Sequence, residues 1–272
     1  MKKFELLCVT MHQNDFSKIA EMNIHSNVIF ANQCNRTAYD EMEFEGHIAK
    51  MISTQTKGVG KNRNIALLYA SAEFCLFADD DVQYVDDLEN IVTKEFELHP
   101  NADIMIFHVD TDDPVRKQKK YSKTRKCKLF ERMPWGAVRI AVRLSSVRKA
   151  NVWFTDLFGG GCIFPSGEDS LWLLDVKKKG LKFYVSNKTI GAVSVAESTW
   201  FTGFDERYFF GKGAYYQAAH KKTFLLWSLY FAFRTRKRTK LTFKERIRWM
   251  RKGRIGYKKM LSFEDYQKAY DA

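Results

Sequence analysis

The chain has 272 residues, of which 45% are hydrophobic and 15% aromatic, and its formal net charge is +13. This composition excludes a disordered chain, and the length suffices for one α/β core with an appendage. The charge is uneven, because residues 221–272 hold 16 Lys and Arg against 4 Asp and Glu, a net +12. We therefore predict a nearly neutral body over residues 1–220 and a basic helical extension over 221–272, which suggests a membrane or nucleic-acid partner for the extension.

Cysteine usage and hydropathy bear on the compartment. The five cysteines are odd in number and form no CxxC pair, and Cys8 and Cys75 sit inside apolar runs. We expect reduced thiols in a cytoplasmic protein without structural zinc. We expect no signal peptide, and no window of 18 apolar residues predicts a transmembrane helix.

Apolar runs alternate with helical patterns through the first half of the chain. The sequence predicts strands over residues 4–10, 28–31, 50–53, 74–78 and 104–109, with helices over about 16–23 and 62–72. This βαβ alternation indicates an α/β three-layer sandwich with a mainly parallel central sheet. Ligands of such sheets bind at the carboxyl ends of the strands, where Thr10, Asn32 and Asp79 fall.

The stretch Phe74–Val82 runs from five apolar residues straight into Asp79, Asp80 and Asp81. Adjacent carboxylates repel one another unless water or a cation separates them. Oxygen ligands of this kind suit Mg²⁺ or Mn²⁺. These residues alone favour a metal site and a solvated strand-to-helix turn about equally.

Glycines open the helix that precedes this strand, in the stretch Lys57–Leu67. The stretch lacks the residues of a Walker A motif and of a GxGxxG fingerprint. With Lys61 and Arg63 in its first turn, such a helix start predicts a diphosphate contact. The alternative is an ordinary helix start with a surface arginine.

A second group of candidates lies in the second half of the chain. Alternating residues predict a half-buried strand over 138–144, preceded by Trp135, and residues 181–185 predict a further strand. Gly159, Gly160 and Gly161 let the backbone pass close to a ligand. Glu168 and Asp169 then open an apolar segment, either as ordinary helix-start acids or as a base for an acceptor hydroxyl.

The basic extension begins with an aromatic apolar run over residues 224–233, which is too short to span a bilayer. Flanked by cations, it could lie in the membrane interface. Thr242 and Glu245 then have capping-box spacing for a helix. The alternative is a helical pair docked on the core.

Taken in order, the GxGxxRN-type turn, the DDD run and the Gly167–Asp169 signal resemble family 2 glycosyltransferases of the GT-A fold, of the type that builds bacterial surface polysaccharides. The resemblance covers roughly residues 3–215. It implies that Asp169 is the catalytic base and that Asp79 and Asp81 engage Mn²⁺ or Mg²⁺. It also implies donor and acceptor residues. The expected donor-binding residues are Thr10, Asn32, Gln33, Arg63, Asp79 and Asp80, and the expected acceptor-binding residues are Trp135, Gly160, Gly161 and Glu168.

Two positions depart from the family pattern. Family members commonly place an acid where Asn32 and Gln33 stand, and many place a third metal ligand, often His, near residues 193–197, where no His occurs. Glu197 or His220 could substitute for that ligand.

The resemblance implies inverting transfer of a hexose from a nucleoside-diphosphate sugar, such as a UDP-sugar, to a hydroxyl of a glycan or lipid-linked acceptor. We expect a peripheral enzyme at the inner face of the plasma membrane, held on anionic lipid by the extension, with no nucleic-acid partner. Two other functions stay open: nucleic-acid binding through the extension and the basic loop 114–132, and metal-dependent nucleotidyl transfer.

Overall fold

The computed structural model describes residues 2–112, 120–128, 135–193 and 203–270. These residues form a ten-stranded sheet with helices on both faces, followed by a group of helices at the C-terminal end. The strands are β1 Phe4–Met11, β2 Val28–Gln33, β3 Ala38–Phe44, β4 His47–Thr54, β5 Phe74–Asp79, β6 Val82–Tyr84, β7 Ile104–Thr111, β8 Arg125–Lys126, β9 Ile140–Arg143 and β10 Phe183–Val193. The helices are α1 Lys18–Glu21, α2 Val59–Tyr69, α3 Leu88–Leu98, α4 Leu144–Ala150, α5 Glu168–Lys178, α6 Glu206–Ala219, α7 Phe224–Arg234, α8 Phe243–Lys259 and α9 Phe263–Tyr270.

The strand order is β3-β4-β2-β1-β5-β9-β7-β10-β6, with β8 beside β10. Strands β4, β2, β1 and β5 pair in parallel, and β7 and β10 do the same. Strand β9 is antiparallel to both of its neighbours, so β5 and β7 point the same way. The predicted three-layer α/β sandwich with a mainly parallel sheet is confirmed.

Both faces of the central strands are buried, which explains their unbroken apolar runs. Leu7 and Phe77 pack into one core beneath α2 and α5, whereas Leu6 and Leu76 pack into the other beneath α3. The carboxyl ends of β1, β2 and β5 therefore meet at one edge, with Thr10 beside Asn32 and Val9 beside Asp79.

The prediction of a half-buried strand over residues 138–144 is wrong. Residues 137–139 form a short 3₁₀ turn, β9 holds only four residues, and Leu144 already begins α4. Ile140, Ala141 and Val142 are all fully buried, because β9 lies between two strands and under helices on both sides. Alternation in the sequence therefore did not indicate an exposed face.

Other boundaries shift for local reasons. Helix α2 begins at Val59 instead of residue 62, because Gly58 has a φ of 122° and the Val59 N–H donates to the Gly160 carbonyl. The predicted helix over 16–23 is a single turn, and the strand predicted over 181–185 extends from 183 to 193. The hairpin partner of β4 was not predicted, although its turn has positive φ at Glu45 and Gly46, as two-residue hairpin turns require.

The C-terminal helices share a core with α6. Gly213 on α6 and Gly253 on α8 face the other helix so closely that a Cβ atom on Gly213 would lie 2.0 Å from the Met250 carbonyl oxygen. Trp249, Met250 and Tyr266 pack with Phe209 and Phe210 of α6. Helices α8 and α9 are therefore docked on the body, while the boundary at residue 220 between two domains stays a prediction. In the described part of the chain, no helix is long and apolar enough to cross a membrane.

Candidate active site

A cavity of about 140 Å³ lies where the parallel strands end. Its lining comes from the ends of β1, β2 and β5, from the first turn of α2 and from the glycine loop. The lining residues are Val9, Thr10, Met11, Gln33, Val59, Asn62, Asp79, Asp80, Gly160 and Gly161. Four of the predicted donor residues and two of the predicted acceptor residues therefore line one cavity.

Beside this cavity, Arg63 joins three carboxylates, and we call the four residues the Arg63 cluster. The Arg63 guanidinium donates to Asp79 Oδ1 at 2.9 Å, to Asp169 Oδ1 at 2.7 Å and to Glu168 Oε1 at 3.2 Å. The side chain of Arg63 is only 3% exposed, whereas that of Asp79 is 40% exposed and also lines the cavity. The cluster therefore connects the cavity to the start of α5.

The charges in the Arg63 cluster do not cancel, because one guanidinium faces three carboxylates. Burial lowers the pKa of Arg63, but the three carboxylates more than offset this and raise that pKa above its ordinary value. Arg63 is not among the residues that line the cavity, and both of its terminal nitrogens bind carboxylates. The helix start suggested that Arg63 contacts a diphosphate directly. In this structure its terminal nitrogens bind carboxylates instead. Arg63 holds the acids in place.

Asp169 sits at the first turn of α5, where its two oxygens have different partners. Oδ1 accepts from Arg63, and Oδ2 accepts from the Ala137 N–H at 3.0 Å. Burial raises the pKa of Asp169 to about 7, with Glu168 and Asp79 adding to the rise and Arg63 and Ala137 opposing it. A fixed carboxyl that titrates near neutral pH, with 21% of its side chain exposed, has the properties of a general base.

The three adjacent aspartates separate in the structure. Asp79 faces the Arg63 cluster and the first cavity, and Asp80 accepts a hydrogen bond from the buried Thr10 hydroxyl. Asp81 lines a second cavity of about 620 Å³ with Asp110 and Asp112, and Asp80 lines both cavities. Over the described ranges, no three His, Cys, Asp or Glu side chains form a cluster that could hold a metal ion. The set nevertheless consists of oxygen donors, which fit a hard cation if a ligand supplies further oxygens.

The amide pair Asn32 and Gln33 divides between two roles. Asn32 is fully buried, and its side chain bonds the backbone of Gln13 in both directions and donates to Ser53. Gln33 lines the cavity and accepts from the Gly58 N–H at 2.9 Å. Asn32 therefore shapes the loop after β1, and of the pair only Gln33 lines the cavity.

The glycine loop lies against the start of α2. Gly161 has a φ of 78° and lies so close to Gly58 that an added Cβ would sit 3.2 Å from the Gly58 nitrogen. Gly159 has a φ of 105°, and a Cβ there would meet Val59 and Glu168. Side chains at these positions would push the loop away from α2, so the glycines fix the cavity wall.

The predicted acceptor residues do not share one surface. Trp135 is 4% exposed and packs in the core, and its contact with an acceptor stays a prediction. Glu168 is 13% exposed and binds Arg63 through Oε1, while Oε2 accepts from the Gly167 N–H. Glu168 therefore supports the cluster beside Asp169.

Sequence reasoning missed two candidates. Asn62 lines the cavity with 3% exposure, and among the described residues its Oδ1 has no hydrogen-bond partner. On α6, the Lys212 ammonium lies 5.4 and 5.5 Å from the ring centroids of Tyr208 and Tyr215. Burial lowers the pKa of Lys212, and Glu168 opposes that shift. Asn62 lies in the stretch Lys57–Leu67 at the start of α2, so a polar amide at this helix start could have indicated a ligand contact.

Several predicted features lie outside the described residues. They include Glu197 and most of the basic loop 114–132. His220, the other candidate for a third metal ligand, stacks on Trp227 with ring centroids 4.6 Å apart and does not line the cavity.

The order of strands and helices matches the GT-A fold of glycosyltransferase structures. Residues 28–150 match the family model described as Glycosyl transferase family 2, which confirms the family 2 resemblance drawn from the motifs. No curated protein sequence matches the chain significantly.

Solved structures of S. aureus TarS share the fold. TarS 1–349 in complex with UDP-GlcNAc matches with a TM-score of 0.61 and 13% identity, over 96% of this chain and 93% of that one. TarS 1–349 in complex with UDP matches with a TM-score of 0.60 and 14% identity over the same shares. A longer TarS structure matches with a TM-score of 0.54 and 14% identity, over 99% of this chain and 46% of that one.

Proposed function

We propose that the protein is an inverting hexosyltransferase that moves a sugar from a UDP-sugar to a hydroxyl of a glycan or lipid-linked acceptor. The observation that carries this proposal is the Arg63 cluster, in which Asp79 borders the cavity and Asp169 has a pKa raised to about 7. A donor site and a base joined through one guanidinium suit a displacement reaction.

On the donor side, the nucleotide would occupy the cavity at the strand ends. Asn62 Oδ1 is a buried acceptor without a described partner, and such an atom is costly unless a ligand or water satisfies it. Gln33 and Asp80 offer further polar groups in the same lining. A ribose hydroxyl or a base N–H would satisfy the Asn62 amide. The complex of TarS with UDP-GlcNAc supports a UDP-sugar as the donor.

The metal proposal concerns Asp79 and Asp81, which would hold Mn²⁺ or Mg²⁺ together with donor phosphate oxygens. When bound, such an ion would neutralise charge that develops on the departing diphosphate. The exposed part of Asp79 and the second-cavity position of Asp81 leave both carboxylates accessible. Arg63 meanwhile fixes one Asp79 oxygen, which limits the directions the other can face.

On the acceptor side, Asp169 would take the proton of the attacking hydroxyl. Its Oδ2 already accepts from Ala137 and its Oδ1 from Arg63, so the carboxylate is oriented before the acceptor arrives. Attack opposite to the leaving diphosphate inverts the anomeric centre. Glu168 would keep Arg63 in place, and Gly160 and Gly161 would let the sugar approach the backbone.

The setting we propose is bacterial surface polysaccharide synthesis, by a cytoplasmic enzyme bound peripherally at the inner face of the plasma membrane. The net +12 of residues 221–272 supports an anionic membrane surface as partner. We expect no nucleic-acid partner.

The test screens nucleotide sugars with and without Mn²⁺ or Mg²⁺ and identifies the released product. We expect release of nucleoside diphosphate with the parent protein, and none with Asp79→Ala. Asp175→Ala on the exposed side of α5 is the matched control and should keep full activity. Release of pyrophosphate would instead indicate nucleotidyl transfer, and metal-independent turnover would contradict the metal assignment.

A further inference from the structure

Helix α7 presents six of its large apolar side chains outward. The residues buried against the body are Phe224, Ser228 and Ala232, spaced four apart on one side of the helix. The outward residues are 39–67% exposed, and we call them the α7 face: Leu225, Leu226, Trp227, Leu229, Tyr230 and Phe233. A soluble surface helix normally shows the reverse arrangement.

The α7 face is continuous with a groove along α8. Leu229 meets Phe243, Ile247 and Ile255 in a groove of about 460 Å³, and Phe243 and Ile255 are also exposed. Monomeric proteins rarely expose contiguous apolar patches of this kind unless something covers them.

Cations surround this apolar surface. The groove is rimmed by four of them, and others stand at both ends of α7. The rim cations are Lys244, Arg248, Arg251 and Lys252, and those at the helix ends are Lys221, Lys222, Arg234, Arg236, Lys237 and Arg238. An apolar face inside a basic border complements acyl chains below anionic headgroups.

We propose that the α7 face docks on an anionic phospholipid bilayer, with α7 lying in the plane of the interface and the α8 groove taking lipid headgroups and the upper acyl chains. Helix α7 has 11 residues and is about 16 Å long at 1.5 Å per residue, too short to span a bilayer. Helices α8 and α9 belong to the protein core, so only α7 and one side of α8 contact lipid. The proposal names the surface that contacts the membrane, whereas the proposed function required only that the enzyme be attached to one.

The position of α7 would place the bilayer close to the proposed base, Asp169. Trp227 of the α7 face stacks on His220 and on Tyr216 of α6. The neighbouring Tyr215 hydrogen-bonds Ser170, the residue after Asp169, and lies against Gly167. One helix therefore separates the bilayer from the start of α5. Resting on the proposed function, this position suits an acceptor whose hydroxyl stays close to the membrane surface, as in a lipid-linked glycan.

The test measures sedimentation of the full chain with vesicles of phosphatidylcholine alone and of phosphatidylcholine mixed with phosphatidylglycerol. We expect binding to the mixed vesicles only, weakened by salt. The double variant Leu226→Ser with Phe233→Ser removes the two most exposed residues of the face and should lower the affinity by more than about tenfold, since each side chain contributes roughly that factor when buried. Its melting temperature should not fall, because both side chains are exposed.

Control variants elsewhere on the surface test whether the location of these side chains matters, and not only their chemical type. Leu98→Ser removes an equally exposed apolar side chain from α3, and should leave vesicle binding unchanged. Arg248→Glu with Arg251→Glu should abolish the preference for phosphatidylglycerol, whereas Lys94→Glu with Lys149→Glu should not.

Four results would overturn the assignment. The first two are absence of binding to the mixed vesicles and equal losses in the control variants. The others are a dimer in solution that the face variant converts to monomers without any vesicle binding, and tighter binding to DNA or RNA than to vesicles. Transfer to a short soluble acceptor is measured in parallel. If neither the parent nor any variant transfers sugar to that acceptor, the result counts against the proposed function alone. Vesicle binding does not require turnover, so the membrane assignment would stand or fall separately.

Discussion

The Arg63 cluster and the α7 face break the usual rule of burial in opposite directions. In the cluster, three carboxylates crowd one buried guanidinium beneath the edge of the sheet. In the α7 face, six large apolar side chains point into solvent while Ser228 and Ala232 face the body. Under the proposals above, a bound donor would complete the first arrangement and a lipid surface the second.

The two regions differ in how the surrounding protein supports them. The acids of the cluster are supported on all sides by α2, β5 and α5, so substitutions there change charge within a fixed shape. None of the described residues covers the outer side of the α7 face, so substitutions there should change the surface without changing the fold.

Asp169→Asn keeps the shape of the base and removes its basicity. Turnover should fall by roughly 10²–10⁴-fold, the usual contribution of a positioned general base, with donor affinity little changed. Kinetics at saturating donor would measure this, with Asp175→Asn on the same helix as the control. Lost donor affinity with an unchanged rate at saturation would show that Asp169 has a different role.

Arg63→Met leaves three carboxylates without their shared partner. Removing one partner of a buried ion pair costs about 3 kcal/mol or more, so the free energy of unfolding should fall by at least that amount. Denaturant unfolding would measure it, with Arg36→Met as a control, because Arg36 is exposed and lies 3.7 Å from Asp40. An effect as small as that of the control would mean that the cluster does not hold this part of the fold together.

Gly213→Ala tests whether α8 belongs to the core. The new Cβ would lie 2.0 Å from the Met250 carbonyl oxygen, so we expect a loss of about 1–3 kcal/mol from overpacking. Gly211→Ala on the same helix meets only Pro165, at 4.0 Å, and should be neutral or slightly stabilising. Equal melting temperatures for both variants would contradict the close packing of α6 and α8.

Asn62→Leu tests the donor side with a small expected effect. It removes a buried oxygen without a described partner, so stability should not fall, while donor affinity should drop by about 1 kcal/mol, the usual net value of one hydrogen bond. Nucleotide titration and melting curves on the same samples would measure both. Leu67→Met in the core of α2 serves as the packing control.

The sequence indicated the central sheet well, because strands buried on both faces are unbroken apolar runs. It also indicated the main acids, because Asp79 ends such a run and Asp169 stands in the first turn of a helix, just before an apolar segment. It could not indicate that Arg63 binds Glu168 and Asp169, which lie more than one hundred residues away. It also misjudged residues 138–144, because burial there depends on which strands flank β9.

The α7 face illustrates the same limit at the surface. The aromatic run was visible in the sequence, but its composition fitted a buried helix and an interfacial helix equally well. Only the packing of Phe224, Ser228 and Ala232 shows which side faces the body. For α8, the alternative of docking on the core is what the structure displays.

Through Asp169, the free energy of unfolding should decrease as the pH rises. Asp169 has a raised pKa in the folded state, so its contribution is fully present below its ordinary value of 3.8 and is lost as the pH rises through about 7. Asp169→Asn should lack this loss, and its stability relative to the parent should therefore improve as the pH rises.

The central claim is that Asp169 acts as a base whose pKa is raised to about 7 by burial, with Arg63 opposing the rise. The most direct measurement is the pH dependence of kcat/KM for transfer to a soluble acceptor at saturating metal. We predict that kcat/KM of the parent rises with pH through about 7 and then levels off, and that the residual rate of Asp169→Asn lacks this rise. A parent profile that is flat or falls through that range, or a variant that keeps the same rise, would contradict the account.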